Sequence, residues 1–245
     1  MNIQPIILAG GKGTRMESDL PKVLVPLAGK PLVGYLFDTI EQIIGLPKPI
    51  TVVGYGRDQV ISAIGDRSRY AIQEEQLGTG HAVGCALHMV ESEAVIVMYG
   101  DMPFISQTNI EALLQNHIDT QTVLTMVTVS VPDYEGDRKN IERYGRVIRK
   151  DGKVVETIEY KDANDEVRAL TEVTPSYFVI DTAWLKDSVG KIKAENVQKE
   201  YYLPDLVKIA INEGREVSTV NLGYTSVLGA NTPQELAVLE AFLDR

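Results

Sequence analysis

Short apolar runs recur along the chain, and they constrain its fold more than any other feature of the sequence. Four of them have the length of a β-strand and contain no charged residue: 3–9, 50–54, 94–99 and 122–131. Between them lie segments with helical spacing, such as 31–44, which starts at a proline, and 78–90. Strands that are apolar on both faces and alternate with helices indicate an α/β fold with a doubly wound, mostly parallel sheet.

The second half of the chain has more β-hairpin character. Residues 144–159 predict a hairpin with Asp151 and Gly152 in its turn. One further strand is expected over 173–180, and helices over 202–212 and 232–243, with Thr232 as the cap of the last one. The polar stretch 132–143 has no periodicity and is interpreted as a mobile loop. We expect a single domain over 1–245 with two halves that meet near residue 131.

Composition and charge exclude several classes of function. Lysine and arginine total 24 against 34 aspartate and glutamate, a formal net charge of −10, so binding to nucleic acid or to an anionic membrane by bulk charge is not expected. The single cysteine, Cys85, allows neither an intramolecular disulfide nor a zinc site built from several thiolates. No apolar run is long enough for a signal sequence or a membrane span. We expect a cytoplasmic protein.

A glycine-rich loop follows the first predicted strand. The segment LAGGKGTRMESDLPK, Leu8–Lys22, holds three glycines, two lysines and an arginine. Backbone N–H groups in such a turn can approach a phosphate, yet neither the P-loop pattern nor the dinucleotide-binding spacing is present. The guanidinium of Arg15 can hold two phosphate oxygens, and Lys22 adds a compact charge. The loop is therefore interpreted as a triphosphate site; the alternative is a turn with solvated cations.

Three further segments place polar residues at strand ends or helix starts. The amide of Gln73 both donates and accepts, which suits the edge of a uracil, although the segment could also be a simple helix start capped by Thr79. Asp101 follows a buried strand and is either a magnesium ligand or a turn residue. Asn231 is either a neutral oxygen ligand for the same ion or an ordinary residue before a helix.

Taken in order, these segments resemble the sugar-nucleotide pyrophosphorylases, and most closely the uridyltransferase domain of the bacterial N-acetylglucosamine-1-phosphate uridyltransferases. The motifs that carry the resemblance are GKGTRM at 11–16 with LPK at 20–22, QLGTGHA at 76–82, YGDMP at 99–103, YGR at 144–146 and EYY at 200–202. The resemblance extends over nearly the whole chain. It implies a Rossmann-like nucleotide-diphospho-sugar transferase fold with a small β-rich lobe that binds the sugar.

The resemblance also implies a reaction and a set of site residues. The reaction joins UTP and a sugar 1-phosphate and releases pyrophosphate, with Mg²⁺ as cofactor. Arg15 and Lys22 are the catalytic residues, and Asp101 and Asn231 are the metal ligands. The nucleotide is assigned to the half before about residue 131, and its contacts are Leu8, Ala9, Gly10, Gly11, Gly13, Gln73, Gly78 and Thr79. The sugar is assigned to the half after about residue 132, with contacts from Gly145, Glu159, Thr174 and Tyr202.

Two departures from the family pattern affect these expectations. The family continues into a β-helix that carries an acetyltransferase and the trimer contacts, whereas this sequence stops at Arg245. We therefore expect no acetyl transfer, and a monomer or small homo-oligomer. In addition, the family reads E-x-N-T-G where this chain has Glu172-Val-Thr-Pro-Ser176, so Thr174 replaces an asparagine that faces the sugar.

The second departure leaves the acceptor open. N-acetylglucosamine 1-phosphate is the first candidate, and another sugar 1-phosphate, a phosphorylated alcohol or another nucleoside triphosphate are alternatives within the same chemistry. A non-catalytic sensor of nucleotide sugars is the alternative from a different class.

The departure at Thr174 also yields a prediction about sugar preference. A threonine cannot reproduce the paired donor and acceptor of an amide, and a changed hydrogen-bond set discriminates strongly between ligands. Thr174→Asn should therefore raise the kcat/KM for N-acetylglucosamine 1-phosphate relative to other sugar phosphates. A panel of sugar 1-phosphates assayed with both proteins checks this, and identical preferences would contradict it.

Overall fold

One large sheet forms the centre of the computed structural model, which describes residues 1–243. The strands are β1 (Ile3–Ala9), β2 (Pro26–Leu27), β3 (Lys30–Pro31), β4 (Ile50–Val53), β5 (Arg69–Ile72), β6 (Ala94–Tyr99), β7 (Leu124–Ser130), β8 (Gly145–Lys150), β9 (Lys153–Ile158), β10 (Glu172–Thr174), β11 (Phe178–Asp181) and β12 (Val217–Asn221). The helices are α1 (Leu32–Glu41), α2 (Arg57–Ile64), α3 (Thr79–Ala86), α4 (Gln107–Thr120), α5 (Asp165–Arg168), α6 (Thr182–Ser188), α7 (Asp205–Asn212) and α8 (Pro233–Leu243).

The order of the strands confirms the predicted doubly wound α/β fold. Strands β5, β4, β1 and β6 lie side by side and parallel, and the sheet continues through β11, β7, β10, β8 and β9. Strand β12 is parallel to β7, and β11 is antiparallel to both of its neighbours. Because β11 lies between β6 and β7, the second half of the chain supplies a central strand of the same sheet.

Helices cover both faces of this sheet. Apolar side chains of α1, α2, α4 and α8 pack in one core cluster, and those of α3, α6 and α7 pack in the other. Within β1 the side chain of Ile7 belongs to the first cluster, whereas Ile6 and Leu8 belong to the second. Since successive side chains of a strand point to opposite faces, burial on both faces requires the continuous apolar run seen in the sequence.

Most predicted elements have counterparts in the structure, with shifted ends. The hairpin of β8 and β9 turns at Asp151 (φ 51°) and Gly152 (φ 78°), as expected for a two-residue turn with positive φ. The backbone N–H of Glu235 bonds the Thr232 hydroxyl at 3.2 Å, so Thr232 caps α8 as predicted. Helix α3 ends at Ala86, and α7 begins only at Asp205. Helices α2, α4 and α6 and strand β12 are among the elements that were not expected from the sequence.

The prediction of one strand over 173–180 is wrong. The structure divides this segment into β10 and β11, with a break at 175–177. Pro175 has no N–H for a strand ladder, and Ser176 has a left-handed backbone (φ 63°) supported by a 3.1 Å bond from its N–H to the Thr174 hydroxyl. The break lets β10 pair with β7 and β8, while β11 enters the centre of the sheet.

The segment 132–143, expected to be a mobile loop, contains a 3-10 helix, Gly136–Ile141. Ile141 at its end is fully buried in the core. The segment is therefore attached to the rest of the fold at this end. None of the helices within the described part of the chain has the length and apolar content needed to cross a lipid bilayer.

A fully buried arginine, Arg146, fixes the start of β8. Its guanidinium donates to three main-chain carbonyl oxygens at 2.5–3.1 Å, those of Glu142, Tyr144 and Arg168. Two aromatic rings, those of Tyr134 and Tyr160, lie 4.8 and 5.2 Å from it. Burial lowers the pKa of this guanidinium, and the carbonyl oxygens replace the water that it loses.

Loss of the Arg146 guanidinium should destabilise the protein. Arg146→Met leaves three carbonyl oxygens without these donors, and we expect the free energy of unfolding to fall by about 3 kcal/mol. The matched control is Arg149→Met on the same strand, where the arginine pairs with Glu172 at the partly exposed surface and donates to the Gly152 carbonyl at 2.9 Å. Water can replace these partners, so the expected loss there is below about 1 kcal/mol. Urea denaturation measures both values, and equal losses would contradict the role given to Arg146.

Candidate active site

Two adjoining cavities open at the carboxyl ends of the parallel strands, where ligands bind in doubly wound sheets. The first has a volume of about 270 Å³, and its lining includes Leu8, Ala9, Gly10, Gly11, Gln73, Gly78 and Thr79. The second has a volume of about 330 Å³, and its lining includes Arg15, Gly145, Glu159, Thr174, Tyr202 and Asn231. Both linings contain Lys22, Thr79, Tyr99, Asp101 and Glu200. We call them the nucleotide cavity and the sugar cavity, after the sequence-based predictions.

Gly13 is the one predicted site residue that lines neither cavity. Its backbone is left-handed (φ 64°), and a Cβ at this position would lie 2.5 Å from the Cβ of Lys22. Gly13 therefore makes room for Lys22 and lets the loop turn. Gly10 has a related steric role, because a Cβ there would lie 3.1 Å from Oε1 of Gln73.

A compact group of charges lies on the wall that the two cavities share. The ammonium of Lys22 forms an ion pair with the Asp101 carboxylate and donates to Oδ1 of Asn231 at 2.5 Å. Arg15 approaches the same Asn231 oxygen at 3.4 Å through Nη2. The side chains of Lys22 and Asp101 are only 14% and 16% exposed. The structure thus brings together the two predicted catalytic cations and the two predicted metal ligands.

Glu235 fixes the orientation of the Asn231 amide. Its Oε2 accepts from the backbone N–H of Asn231 at 2.6 Å and from the Nδ2 of the same residue at 3.0 Å. A carboxylate oxygen can only accept, so the amide nitrogen must face Glu235 and Oδ1 must face Lys22. Glu235 was not predicted from the sequence, because its contact with Asn231 depends on the turn before α8.

The oxygen atoms of Asp101 and Asn231 converge on one cation, the Lys22 ammonium. Magnesium prefers oxygen ligands and commonly takes only one or two from the protein, with water and substrate phosphates as the others. The donor set at this point therefore fits a magnesium ion, with the Asp101 carboxylate and the Asn231 amide oxygen as protein ligands.

The segment 200–203 packs against the start of α3, and its first residue, Glu200, lines the nucleotide cavity. The backbone N–H of Tyr201 donates to the carbonyl of Leu77, and that of Gly80 donates to the carbonyl of Tyr201. The Thr79 hydroxyl accepts from the N–H of Leu203 at 2.9 Å. The alternative in which Thr79 only caps a helix is therefore wrong, since α3 begins at Thr79 and its hydroxyl bonds to a distant part of the chain.

Glu159 lies on the wall of the sugar cavity, directly over Gly145. A Cβ on Gly145 would be 3.1 Å from Oε1 of Glu159, which is a tight contact, so a larger residue would require this carboxyl to shift. Burial, with smaller contributions from Asp205 and Asp162, raises the pKa of Glu159 to about 7. Thr174 is also buried, and its hydroxyl accepts from the Ser176 N–H.

Phenol rings form the base of the site. Tyr99 and Tyr177 stack with ring centroids 6.1 Å apart, and the Tyr144 hydroxyl donates to the Val227 carbonyl at 2.6 Å. Burial raises the pKa of all three phenols, and the nearby Asp101 carboxylate adds to the shift. These phenols therefore remain neutral at physiological pH.

Several residues that line the cavities were not nominated from the sequence. They include Gln76, Tyr99, Asn140, Arg143, Ser176, Glu200 and Glu235. Glu200 and Tyr99 could have been nominated from the sequence, because Glu200 lies in the EYY motif and Tyr99 is the first residue of the YGDMP motif. No comparable signal exists for Asn140 and Arg143, because the segment around them has no periodicity.

Comparison with known proteins identifies the family of the chain. Residues 5–174 match the MobA-like NTP transferase domain family, which is more than half of the chain. The protein belongs to this nucleotidyltransferase family. It is 39% identical over 242 residues to the bifunctional protein GlmU of Bacillus cereus (strain AH187), and equally identical to GlmU of Bacillus thuringiensis (strain Al Hakam). These alignments cover 97% of this chain and 51% of the relatives, so the chain spans about half of their length.

Solved structures with low sequence identity share the fold. A CMP:2-keto-3-deoxy-manno-octonic acid synthetase complexed with CTP superposes with a TM-score of 0.69 at 16% identity, and covers 100% of this chain and 99% of its own. HddC from Yersinia pseudotuberculosis superposes with a TM-score of 0.70 at 19% identity, with 99% and 100% covered. The mixed, mostly parallel sheet with flanking helices is thus the nucleotide-sugar transferase fold.

The raised pKa of Glu159 predicts a pH-dependent effect on stability. Its folded-state pKa of about 7 exceeds the ordinary value of 4.5, so folding becomes less favourable as pH rises from about 4.5 to about 7. Glu159→Gln removes this ionisation, and its free energy of unfolding should exceed that of the wild type by about 1–3 kcal/mol at pH 8 but not at pH 5.

Urea denaturation at the two pH values measures the difference. Glu156→Gln is the matched control on β9, three residues before Glu159; Glu156 pairs with Lys208, and its replacement should give no gain that grows with pH. A gain for Glu159→Gln of equal size at both pH values would show that ionisation is not its cause.

Proposed function

We propose that the protein transfers a uridylyl group from UTP to a sugar 1-phosphate, giving a UDP-sugar and pyrophosphate, with N-acetylglucosamine 1-phosphate as the first candidate acceptor. One observation carries the proposal: the two cavities share a wall that contains Lys22 and Asp101. A nucleotide in one cavity and a sugar phosphate in the other would meet at these charges. The 39% identity to GlmU and the family match support the same class of reaction.

The proposed reaction requires alignment and charge compensation more than proton transfer. An oxygen of the sugar phosphate attacks the α-phosphorus of UTP, a new P–O bond forms, the bond between the α-phosphorus and the bridging oxygen breaks, and pyrophosphate leaves. A phosphate monoester has a second pKa near ~6 and is mostly dianionic at neutral pH, so no general base is needed. Lys22 and Arg15 reduce the repulsion between the two polyanions and hold them in line.

Magnesium belongs to the proposal as the cofactor. Asp101 and Asn231 would hold the ion, and Glu235 keeps the oxygen of Asn231 directed toward it. When bound, the ion supplies charge neutralisation on the phosphates. Lys22 now pairs with both of these ligands, and in the reaction we expect its ammonium to bind phosphate oxygens instead.

Polar groups without partners support a sugar as the occupant of the second cavity. The Tyr202 hydroxyl and the Asn140 amide nitrogen are buried, and neither has a hydrogen-bond partner within the described residues, although both side chains line the sugar cavity. Buried polar groups are normally paired, so a ligand rich in hydroxyl groups would satisfy them. Glu159 and Thr174 add acceptors to the same wall. We propose that residues after about 132 bind the sugar and those before 131 bind the nucleotide.

The alternatives differ in ways that one assay resolves. Another nucleoside triphosphate or another phosphorylated acceptor would use the same cations, and a sensor would bind a nucleotide sugar without turnover. A matrix of nucleoside triphosphates against sugar 1-phosphates, read by pyrophosphate release with Mg²⁺, separates them. The highest pyrophosphate release with UTP would support the proposal. If another nucleoside triphosphate gave the highest release, that triphosphate would be the substrate in place of UTP. Binding of a nucleotide sugar without pyrophosphate release would favour the sensor.

The role of Lys22 gives a specific prediction. Lys22→Ala should lower kcat by about 100-fold or more, since it removes one preorganised donor to the transferring phosphate. Lys12→Ala is the matched control in the same loop, where the lysine is exposed and its ammonium lies 5.3 Å from the Tyr55 ring; it should keep near-normal kcat. Steady-state pyrophosphate release measures both, and a Lys22→Ala enzyme with near-normal turnover would remove Lys22 from the reaction.

A further inference from the structure

The side-chain amide of Gln73 has a defined orientation in the nucleotide cavity. Gln73 is 4% exposed, and its Nε2 lies 3.1 Å from the carbonyl oxygen of Gly78 and 3.0 Å from Nδ1 of His81. A carbonyl oxygen can only accept a hydrogen bond. The nitrogen of the amide, rather than its oxygen, must therefore face Gly78 and His81.

This orientation also determines the tautomer of His81. Because the Gln73 nitrogen donates toward Nδ1, that ring nitrogen has to accept, and the proton of the neutral imidazole is on Nε2. Nε2 lies 3.9 Å from Sγ of Cys85. His81 thus faces Gln73 with one ring nitrogen and Cys85 with the other.

The amide oxygen of Gln73 remains for a ligand. Both N–H groups of Nε2 are occupied by Gly78 and His81, and no donor within residues 1–243 bonds to Oε1. Oε1 faces Gly10, where any Cβ would lie 3.1 Å from it. An acceptor at this point matches a base with a ring N–H, such as the N3–H of uracil or thymine. Cytosine instead has an acceptor at N3, so it would face another acceptor.

We propose that His81 is a positioning residue that sets the nucleobase preference of this site: the neutral ring holds Gln73 with its oxygen toward the base. The assignment rests on the proposed function, in which this cavity binds the base of UTP. The assignment goes beyond the proposed function, because it gives a role to a residue that does not line the nucleotide cavity.

Two substitutions of His81 separate positioning from simple structural support. Asparagine keeps an acceptor oxygen close to the place of Nδ1, whereas leucine fills the space without an acceptor. Isothermal titration with UTP and with CTP, in the presence of Mg²⁺, at one mildly alkaline pH and without sugar phosphate, gives the ratio of the two Kd values for each protein. His88→Asn is the control, because His88 is an exposed histidine in the 3-10 turn after α3.

The wild type and His88→Asn should bind UTP at least about 10-fold more tightly than CTP. His81→Asn should keep this preference, because it keeps an acceptor for the Gln73 amide, and His81→Leu should lose most of it. A preference retained in His81→Leu, or lost in His81→Asn, would overturn the assignment. Pyrophosphate release tests the reaction separately, so a failure of the proposed function is distinguishable from a failure of the role of His81.

Discussion

The contact of the Lys22 ammonium with Asp101 and Asn231 is the interaction on which the site depends. It joins the loop after β1, the end of β6 and the turn before α8, and Lys22 and Asn231 are 209 positions apart in the chain. Charges that are largely removed from water are stable only when they are paired. In the proposed reaction, the substrate phosphates and magnesium would replace these internal partners at the same place.

Side-chain amides are oriented in this site by partners that can only accept. The carboxylate of Glu235 directs the Asn231 oxygen toward the cations, and the carbonyl of Gly78 directs the Gln73 oxygen toward the nucleotide cavity. An amide is otherwise ambiguous, because its two ends have similar size and opposite hydrogen-bonding character. Each of these contacts therefore sets what the side chain can recognise.

The sugar cavity depends on a break in the chain between β10 and β11. The left-handed Ser176 lets β11 enter the sheet beside β6, and Thr174 then faces the same cavity as Glu159. Arg146 supports the neighbouring strand by bonding to the carbonyl of Tyr144, next to Gly145, which is the β8 partner of Thr174. The specificity of this cavity is thus linked to the way the second half of the chain joins the large sheet.

The sequence by itself determined the α/β class, the first strands and the glycine-rich loop, because apolar periodicity and glycine spacing act over a few residues. It also indicated most residues that the two cavities gather, although their roles stay predictions. Only the tertiary structure decided the split of 173–180 into two strands, the steric role of Gly13, and the contacts of His81 with Gln73 and of Glu235 with Asn231. These depend on contacts between segments that are close in space or on side-chain orientation, and neither is encoded in a local pattern.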